Sequence, residues 1–173
     1  MENIELAVEI IKNGGVIICP TDTVYGLVCD ATNKKAVERL YKIKKRPRNK
    51  LIPIFISDIK MAKRFTNITP EQEKFLKNVW PGKVTAVFHH RKPGLRIPDY
   101  KFVLNLVKHI GPLAETSANI SGQPATTKIK EVLKQFEGRK YQQDLVIDVG
   151  NLTKIKPSKI IDLTLCQTKI LRQ

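Results

Sequence analysis

Residues 3–27, NIELAVEIIKNGGVIICPTDTVYGL, set the reading of the whole chain. Ile4, Ala7, Val8 and Ile11 recur at helical spacing behind Asn3, a good N-cap. Gly14-Gly15 supplies a helix stop. Residues 16–19, VIIC, form a short apolar run with the composition of a buried strand. Residues 20–27 then turn polar, with two threonines, an aspartate and a tyrosine where a strand would end. Helix, buried strand and polar loop in that order point to an α/β protein. Ligands of open α/β sheets bind outside the carboxyl ends of the strands. A plain polar turn, with Gly26 supplying an unusual backbone angle, explains the same residues.

The alternation continues outward. Asn33 caps a second helix over 33–45, with Ala36, Val37, Leu40 and Tyr41 facing inward. Residues 51–56 read as an apolar strand. Thr69-Pro70-Glu71 opens a third long helix with proline at its first position, and Trp80-Pro81-Gly82 ends it. Residues 84–88 read as a strand, 100–110 as a helix, 112–114 as a short strand entering a loop, and 127–136 as a helix that stops at Gly138. Strands are expected over 145–149, 160–163 and 169–171, the last of them hairpin-like. The expected fold is α/β, with helices on a mostly covered, mixed sheet. No repeat or linker interrupts the chain, and 173 residues fit one domain spanning 1–173.

Composition narrows the function. Apolar residues make up 42% and charged residues 27%, which is globular and not disordered. No apolar run approaches the ~18 residues of a membrane span, and the acidic start MENIELAVEI lacks the features of a signal peptide. Cys19, Cys29 and Cys166 form no CxxC pair, so they read as small buried apolar groups rather than a disulfide framework or zinc site. A cytoplasmic protein without a membrane partner is expected. There is no GxGxxG and no GxxxxGK[ST], so any nucleotide is held another way. His89 and His90 sit on an expected strand and would point to opposite faces, which is no metal pair. His109 falls on a helix, and Trp80 reads as a packing residue.

Charge is the strongest number. Lys and Arg total 31 against 16 Asp and Glu, a net charge of +15. Such a field gathers anions, whether nucleotides, nucleic acid or an acidic surface. The excess is uneven. Residues 34–50 carry Lys34, Lys35, Arg39, Lys42, Lys44, Lys45, Arg46, Arg48 and Lys50 against Glu38 alone. In KIKKRPRNK (42–50), Pro47 stops the helix and fixes six basic residues at and past its end, which suits a polyphosphate. A solvated helix end favouring the dipole is the plain alternative. LRIPD (95–99) places Arg96 between apolar residues before a proline, either aimed into a cleft or on a surface strand. ETSANISGQP (115–124) offers hydroxyls, an amide and backbone N–H groups suited to phosphate or carboxylate oxygens; an ordinary loop would look the same.

Taken together, PTDTVYGL, KKRP, WPGKVT, LRIPD, TSANISG and PSKIIDLT resemble, in order and across nearly the whole chain, the YrdC/YciO family and its threonylcarbamoyl-AMP synthase branch in the short, single-domain form. The resemblance implies a twisted open sheet with flanking helices and a basic concave face. It implies synthesis of L-threonylcarbamoyladenylate from L-threonine, bicarbonate and ATP with release of pyrophosphate. ATP is then a substrate, accompanied by Mg²⁺. The product would pass to a downstream threonylcarbamoyl-transfer complex that modifies position 37 of tRNA, and direct tRNA or RNA contact is conceivable on charge. By the same resemblance Lys44 and Arg46 are the catalytic pair. With Lys50, Ser117, Asn119 and Arg172 they hold ATP, while Thr23, Arg96 and Ser158 hold threonine. No residue is implied as a metal ligand.

The sequence departs from the family pattern in places. HHRKPGLRIPD is short, with Lys92 where a threonine is common, and Phe55 stands where many relatives carry a histidine. Glu115 replaces a small residue before TSAN, and little follows Arg172. Two other readings stand beside synthesis. One is a non-enzymatic double-stranded RNA or tRNA-binding module; the sequence lacks the interleaved aromatics of a single-strand stacking platform, with 6% aromatic residues. The other is a YciO-like paralogue with a different carbamoyl or nucleotide reaction.

Overall fold

The computed structural model describes residues 4–153, 158–164 and 169–172. Asn3 and Cys166 therefore lie outside the described residues. In chain order the elements are α1 (Ile4–Lys12), β1 (Ile17–Cys19), β2 (Gly26–Asp30), α2 (Lys34–Lys44), β3 (Ile54–Phe55), α3 (Ile59–Ala62), α4 (Pro70–Val79) and β4 (Val84–Val87). They continue with β5 (Leu95–Arg96), α5 (Lys101–Ile110), β6 (Leu113–Ser117), α6 (Ile129–Lys134), β7 (Leu145–Val146), β8 (Lys159–Asp162) and β9 (Lys169–Arg172). The described strands join one mixed sheet in the order β7-β1-β2-β6-β3-β5-β4-β8-β9.

Local chemistry explains the helix ends. The Asn33 side chain accepts from the amides of Lys35 and Ala36 and starts α2. Thr69 and Gln72 form a reciprocal capping box at α4, with Pro70 as its first residue. Gly14, at φ 83°, turns the chain out of α1. Helix α2 ends instead on Lys45, a non-glycine residue in the left-handed region at φ 51°. That conformation costs roughly 1–2 kcal/mol in an L-residue. It is held by hydrogen bonds that the Lys45 amide donates to the Lys42 carbonyl and the Arg46 amide to the Tyr41 carbonyl.

Three apolar clusters cover the sheet. On one face Ile18, Leu27, Cys29 and Ala114 meet Leu40 and Ile43 of α2 and Ile129 and Val132 of α6. On the other, Ile17, Val28, Phe55 and Leu113 meet Ala7 and Ile11 of α1 and Phe102, Val103, Leu106 and Val107 of α5. Each of those larger side chains contributes about 1.5–3 kcal/mol by leaving water. The third cluster packs Leu76 of α4 and Trp80 against Ile54, Ala86, Leu95 and Ile161. Trp80 is therefore a packing residue, its indole N–H donating to the Val84 carbonyl at 2.7 Å.

The structure corrects several boundaries. The loop at 20–25 is followed at once by β2, a strand the sequence reading treated as turn; its residues Leu27–Cys29 are buried on both faces and so lack alternation. Strand β6 runs to Ser117, so the TSAN segment begins inside the sheet. The strand expected over 51–56 contracts to Ile54–Phe55, because Pro53 has no amide to donate. Strand β4 ends at Val87, so His89 and His90 lie in the turn beyond it and not on a strand. Short α3, capped by Asp58, and the two-residue β5 are additions.

Candidate active site

Sheet register creates the site. Cys19 pairs with Gly26 and Gly26 with Ser117, both antiparallel, so β1 and β6 run in the same direction and end level. The loops that leave those two ends, 20–25 and 118–124, lie side by side. Helix α2 delivers Lys44 to this end from one face. From the other face, Arg96 of β5 reaches the 20–25 loop.

Lys44 is 2% exposed. Its ammonium donates to the backbone carbonyls of Ser117 and Asn119 and, at 2.9 Å, to the Asn119 side-chain oxygen. Ser117 Oγ donates to that same oxygen at 2.6 Å. Asn119 Nδ2 donates to the carbonyls of Ile120 and Gln123, which fixes the orientation of the amide. Burial pushes the Lys44 pKa down to about 8, with the Glu115 carboxylate opposing the shift and Arg46 adding to it. The lysine is a desolvated cation held among oxygen acceptors. Arg46 sits beside it, with Nε on the Lys50 carbonyl at 2.7 Å and Nη2 on the Leu51 carbonyl at 2.9 Å. Lys50 is exposed at the same turn, its carbonyl also accepting from the Tyr41 hydroxyl.

The other half centres on Arg96, 3% exposed. Its Nη2 reaches both carboxylate oxygens of Asp22 at 2.7 Å, and its Nε donates to the Gly82 carbonyl at 2.9 Å. The guanidinium lies 5.5 Å from the Phe55 ring centroid. Asp22 also accepts from the Asp99 amide. Among the described residues no acceptor meets Nη1 of Arg96. Thr21 and Thr23 exchange a hydroxyl contact at 3.1 Å, and Thr21 also donates to the Val24 carbonyl, which shapes the loop. Thr21, Asp22, Thr23, Lys83, Asp99 and Thr153 line an open cleft of about 330 Å³. Ser158 is buried one residue before β8, level with Lys83 in the parallel β4–β8 register.

Glu115 packs beside Gly26, and its charge acts on Lys44. A Cβ added at Gly26 would fall 2.9 Å from its Oε1 and 3.1 Å from the Thr21 methyl, so glycine there lets carboxylate and loop approach the strand. Tyr25 anchors the loop from below. Its hydroxyl donates to the Gly150 carbonyl at 2.6 Å and accepts from the Val149 amide at 3.1 Å, tying the 148–153 segment to the cleft wall.

The expected residues thus fall into two groups. Lys44, Arg46, Ser117 and Asn119 gather at one side, and Thr23 and Arg96 at the other, with Ser158 on the β8 rim. Lys50 is at the turn and more exposed. Arg172 belongs to β9, and its side chain lies outside the described part. The sequence reading missed Asp22 as the partner of Arg96, along with Lys83 and Asp99. The PTDT segment contained the signal for Asp22, since an acid in a buried loop needs a cation. Cys19 and Cys29 are buried, and burial, reinforced by Asp30, pushes the Cys29 thiol up to about 12, far from reactivity. Among the described residues no group of three His, Cys, Asp or Glu could hold a metal ion. No described helix is long and apolar enough to cross a membrane.

Comparison with known proteins gives a consistent result. The family model Sua5_yciO_yrdC, described as "Telomere recombination", matches residues 9–173. The threonylcarbamoyl-AMP synthase of Vibrio vulnificus is 31% identical over 178 residues, covering 94% of each chain. That of Bacillus subtilis is 34% identical over 148 residues, 77% of this chain and 43% of the relative. Among solved structures, Pyrococcus abyssi Sua5 complexed with L-threonine superposes with a TM-score of 0.86 at 31% identity, over 98% of this chain and 53% of that one. Escherichia coli YciO gives 0.85 at 28% identity, over 98% and 88%. The chain spans about half the length of the Bacillus and Pyrococcus proteins.

Proposed function

The chain belongs to the Sua5/YciO/YrdC family, and from that premise we propose that it is an L-threonylcarbamoyl-AMP synthase, a nucleotidyltransferase acting on L-threonine, bicarbonate and ATP. The observation that carries the reading is the level ending of β1 and β6, which sets the loop held by one buried cation beside the loop held by another. Lys44 is set among Ser117 and Asn119, and Arg96 is paired with Asp22, the neighbour of Thr23. Relatives named for this activity, and one bound to L-threonine, support it.

In this reading, threonine lies with its carboxylate toward Arg96 Nη1 and its hydroxyl among Thr23 and Ser158. Its amine attacks the bicarbonate carbon, a C–O bond breaks and water leaves, giving a carbamate. A carbamate oxygen attacks the α-phosphorus of ATP, the bond to the bridging oxygen breaks, and pyrophosphate leaves. Charge builds on the phosphoryl oxygens, so the step needs positioning and fixed positive charge more than a strong base. Lys44, Arg46 and Lys50 supply that charge, Ser117 and Asn119 orient Lys44, and Arg172 is assigned to the nucleotide. No covalent enzyme intermediate is required. Mg²⁺ would be bound by the ATP phosphates as part of the substrate. The product would serve threonylcarbamoyl transfer to tRNA in the cytoplasm, with the single domain acting as the synthase unit.

A YciO-like reaction is the second reading, favoured by the likeness to YciO over 88% of that chain and by the Glu115 carboxylate acting on Lys44. Pyrophosphate release from ATP and bicarbonate, measured with L-threonine, with L-serine and with neither, separates the two. Threonine-dependent release is the expected result. A folded protein that binds ATP but releases none would move the assignment to the second reading.

A further inference from the structure

We propose that Lys83 holds the bicarbonate and Asp99 receives the threonine ammonium, so that these two residues bring the first bond-forming pair together; the assignment rests on the synthase reading above. Few charges in the cleft remain open. Asp22, Lys83 and Asp99 are the charged side chains that line it among the described residues. Asp22 is spent on Arg96, and the pair, 5% and 3% exposed, is electrically closed. Lys83 and Asp99 are exposed and enter no ion pair among the described residues. The wall therefore presents one open cation and one open anion, whose fields decide what the cleft attracts. At about 330 Å³ the cleft is at the small end of ligand sites and suits two small co-substrates.

Backbone contacts anchor both residues to one wall. The Gly82 amide donates to the Ile97 carbonyl at 2.9 Å, and the Gly82 carbonyl accepts from Arg96 Nε at 2.9 Å. Lys83 follows Gly82 directly, and Asp99 lies just past Ile97-Pro98. The Lys83 carbonyl accepts from the Lys159 amide at 2.9 Å, and the Asp99 amide donates to Asp22 at 3.2 Å. Both backbones are thus pinned while both side chains line the opening.

The co-substrates carry the complementary charges. Threonine arrives with an ammonium and bicarbonate as a small anion, and the two must meet at bonding distance. Arg96 is a poor trap for bicarbonate, because Asp22 already meets its charge and its planar fork suits the amino-acid carboxylate. Lys83 is a compact point charge with rotatable donors, which suits an anion with no fixed approach. Asp99 accepts from the ammonium and takes one of its protons, leaving a neutral amine. The amine lone pair attacks the bicarbonate carbon, the C–OH bond breaks, and the hydroxide leaves as water with a second amine proton. The carbamate keeps one negative charge and stays paired with Lys83, while Asp99 returns its proton to solvent.

The test measures pyrophosphate release by the full-length protein with each substrate varied in turn. K83M should raise KM for bicarbonate about 10-fold or more and leave KM for ATP within about 2-fold. K83R, which keeps the charge, should stay within about 3-fold of the unsubstituted protein. D99N should raise KM for L-threonine about 10-fold and lower kcat about 10²-fold. Line broadening of isotopically labelled bicarbonate in carbon NMR, with L-threonine present, reads the anion site without turnover, and K83M should abolish it. Threonine-dependent release with an unchanged bicarbonate KM in K83M overturns the proposal and leaves the synthase reading intact. No release from the unsubstituted protein, with broadening that K83M abolishes, overturns the synthase reading and upholds the anion site. Broadening retained in K83M and lost in R46A places bicarbonate beside Lys44 and overturns the proposal, as does a K83M defect confined to KM for L-threonine.

Discussion

Removing the Asp22 carboxylate should be among the most damaging single changes in the protein. Asp22 and Arg96 are 5% and 3% exposed, and both oxygens meet one guanidinium nitrogen at 2.7 Å. D22A leaves a buried guanidinium facing the cleft wall with only the Gly82 carbonyl as acceptor, and strips the Asp99 amide of its partner. Breaking such a pair from one side costs about 3–5 kcal/mol. At roughly 2–4 °C per kcal/mol for a chain of this size, the melting temperature should drop by about 6–20 °C. R96M should cost a similar amount, because it strands a buried carboxylate. D22A/R96M removes both charges and should recover to within about 1–2 kcal/mol of the unsubstituted protein, giving a coupling of about 3 kcal/mol or more. Urea unfolding of the four proteins measures this cycle. A D22A loss below about 1 kcal/mol, or additive losses in the double variant, would refute the claim that the pair fixes the loop.

Three further outcomes are expected. Lys44 has a folded pKa of about 8 against 10.5 when unfolded, so below pH 8 its burial cost is present in full. As pH rises from 8 to 10.5 the unfolded chain holds more protons, and stability relative to K44M should climb by up to about 3 kcal/mol; over the same rise ATP affinity should fall, and a flat titration of both would contradict the desolvated cation. Y25F removes the hydroxyl that holds Gly150 and Val149 and should cost about 1–3 kcal/mol, with faster hydrogen exchange at the Val149 amide as the local signature. T69A breaks the α4 capping box and should cost about 1 kcal/mol in urea unfolding, leaving pyrophosphate release unchanged.

What the sequence revealed follows from how local each signal is. Helices α1, α2, α4 and α5 carry their own periodicity, and α2 and α4 their own side-chain caps, so their positions were legible to within a few residues. Strand β2 was not, because a strand covered on both faces shows no alternation and its neighbour loop looks like a turn. Strand β5 has two residues and exists only through pairing with β3 and β4. The basic run at 42–50 was visible as charge, but its division was not. Helical geometry turns Lys44 inward to Ser117 and Asn119 while Lys42 and Lys45 stay in water. The Asp22–Arg96 pair spans 74 positions and depends on the β3–β5–β4 order, which no spacing rule contains.

Helix α2 shows why a net charge of +15 need not define one basic site. Its last turn has to end where the chain can reach the carboxyl end of β6, and the left-handed Lys45 makes that stop without glycine. The stop sends the Lys44 ammonium into a nest of carbonyls, where desolvation limits it to a ligand that repays the loss of water, such as a phosphate group. Lys42 and Lys45 are exposed instead, and each remains hydrated, screened by salt and individually weak. A single buried cation can position one small anion, whereas a hydrated layer becomes effective only when many phosphates arrive on one scaffold. One eleven-residue helix therefore holds its lysines in two environments, separated by its own thickness. A substitution such as K42E should disturb only the outer one.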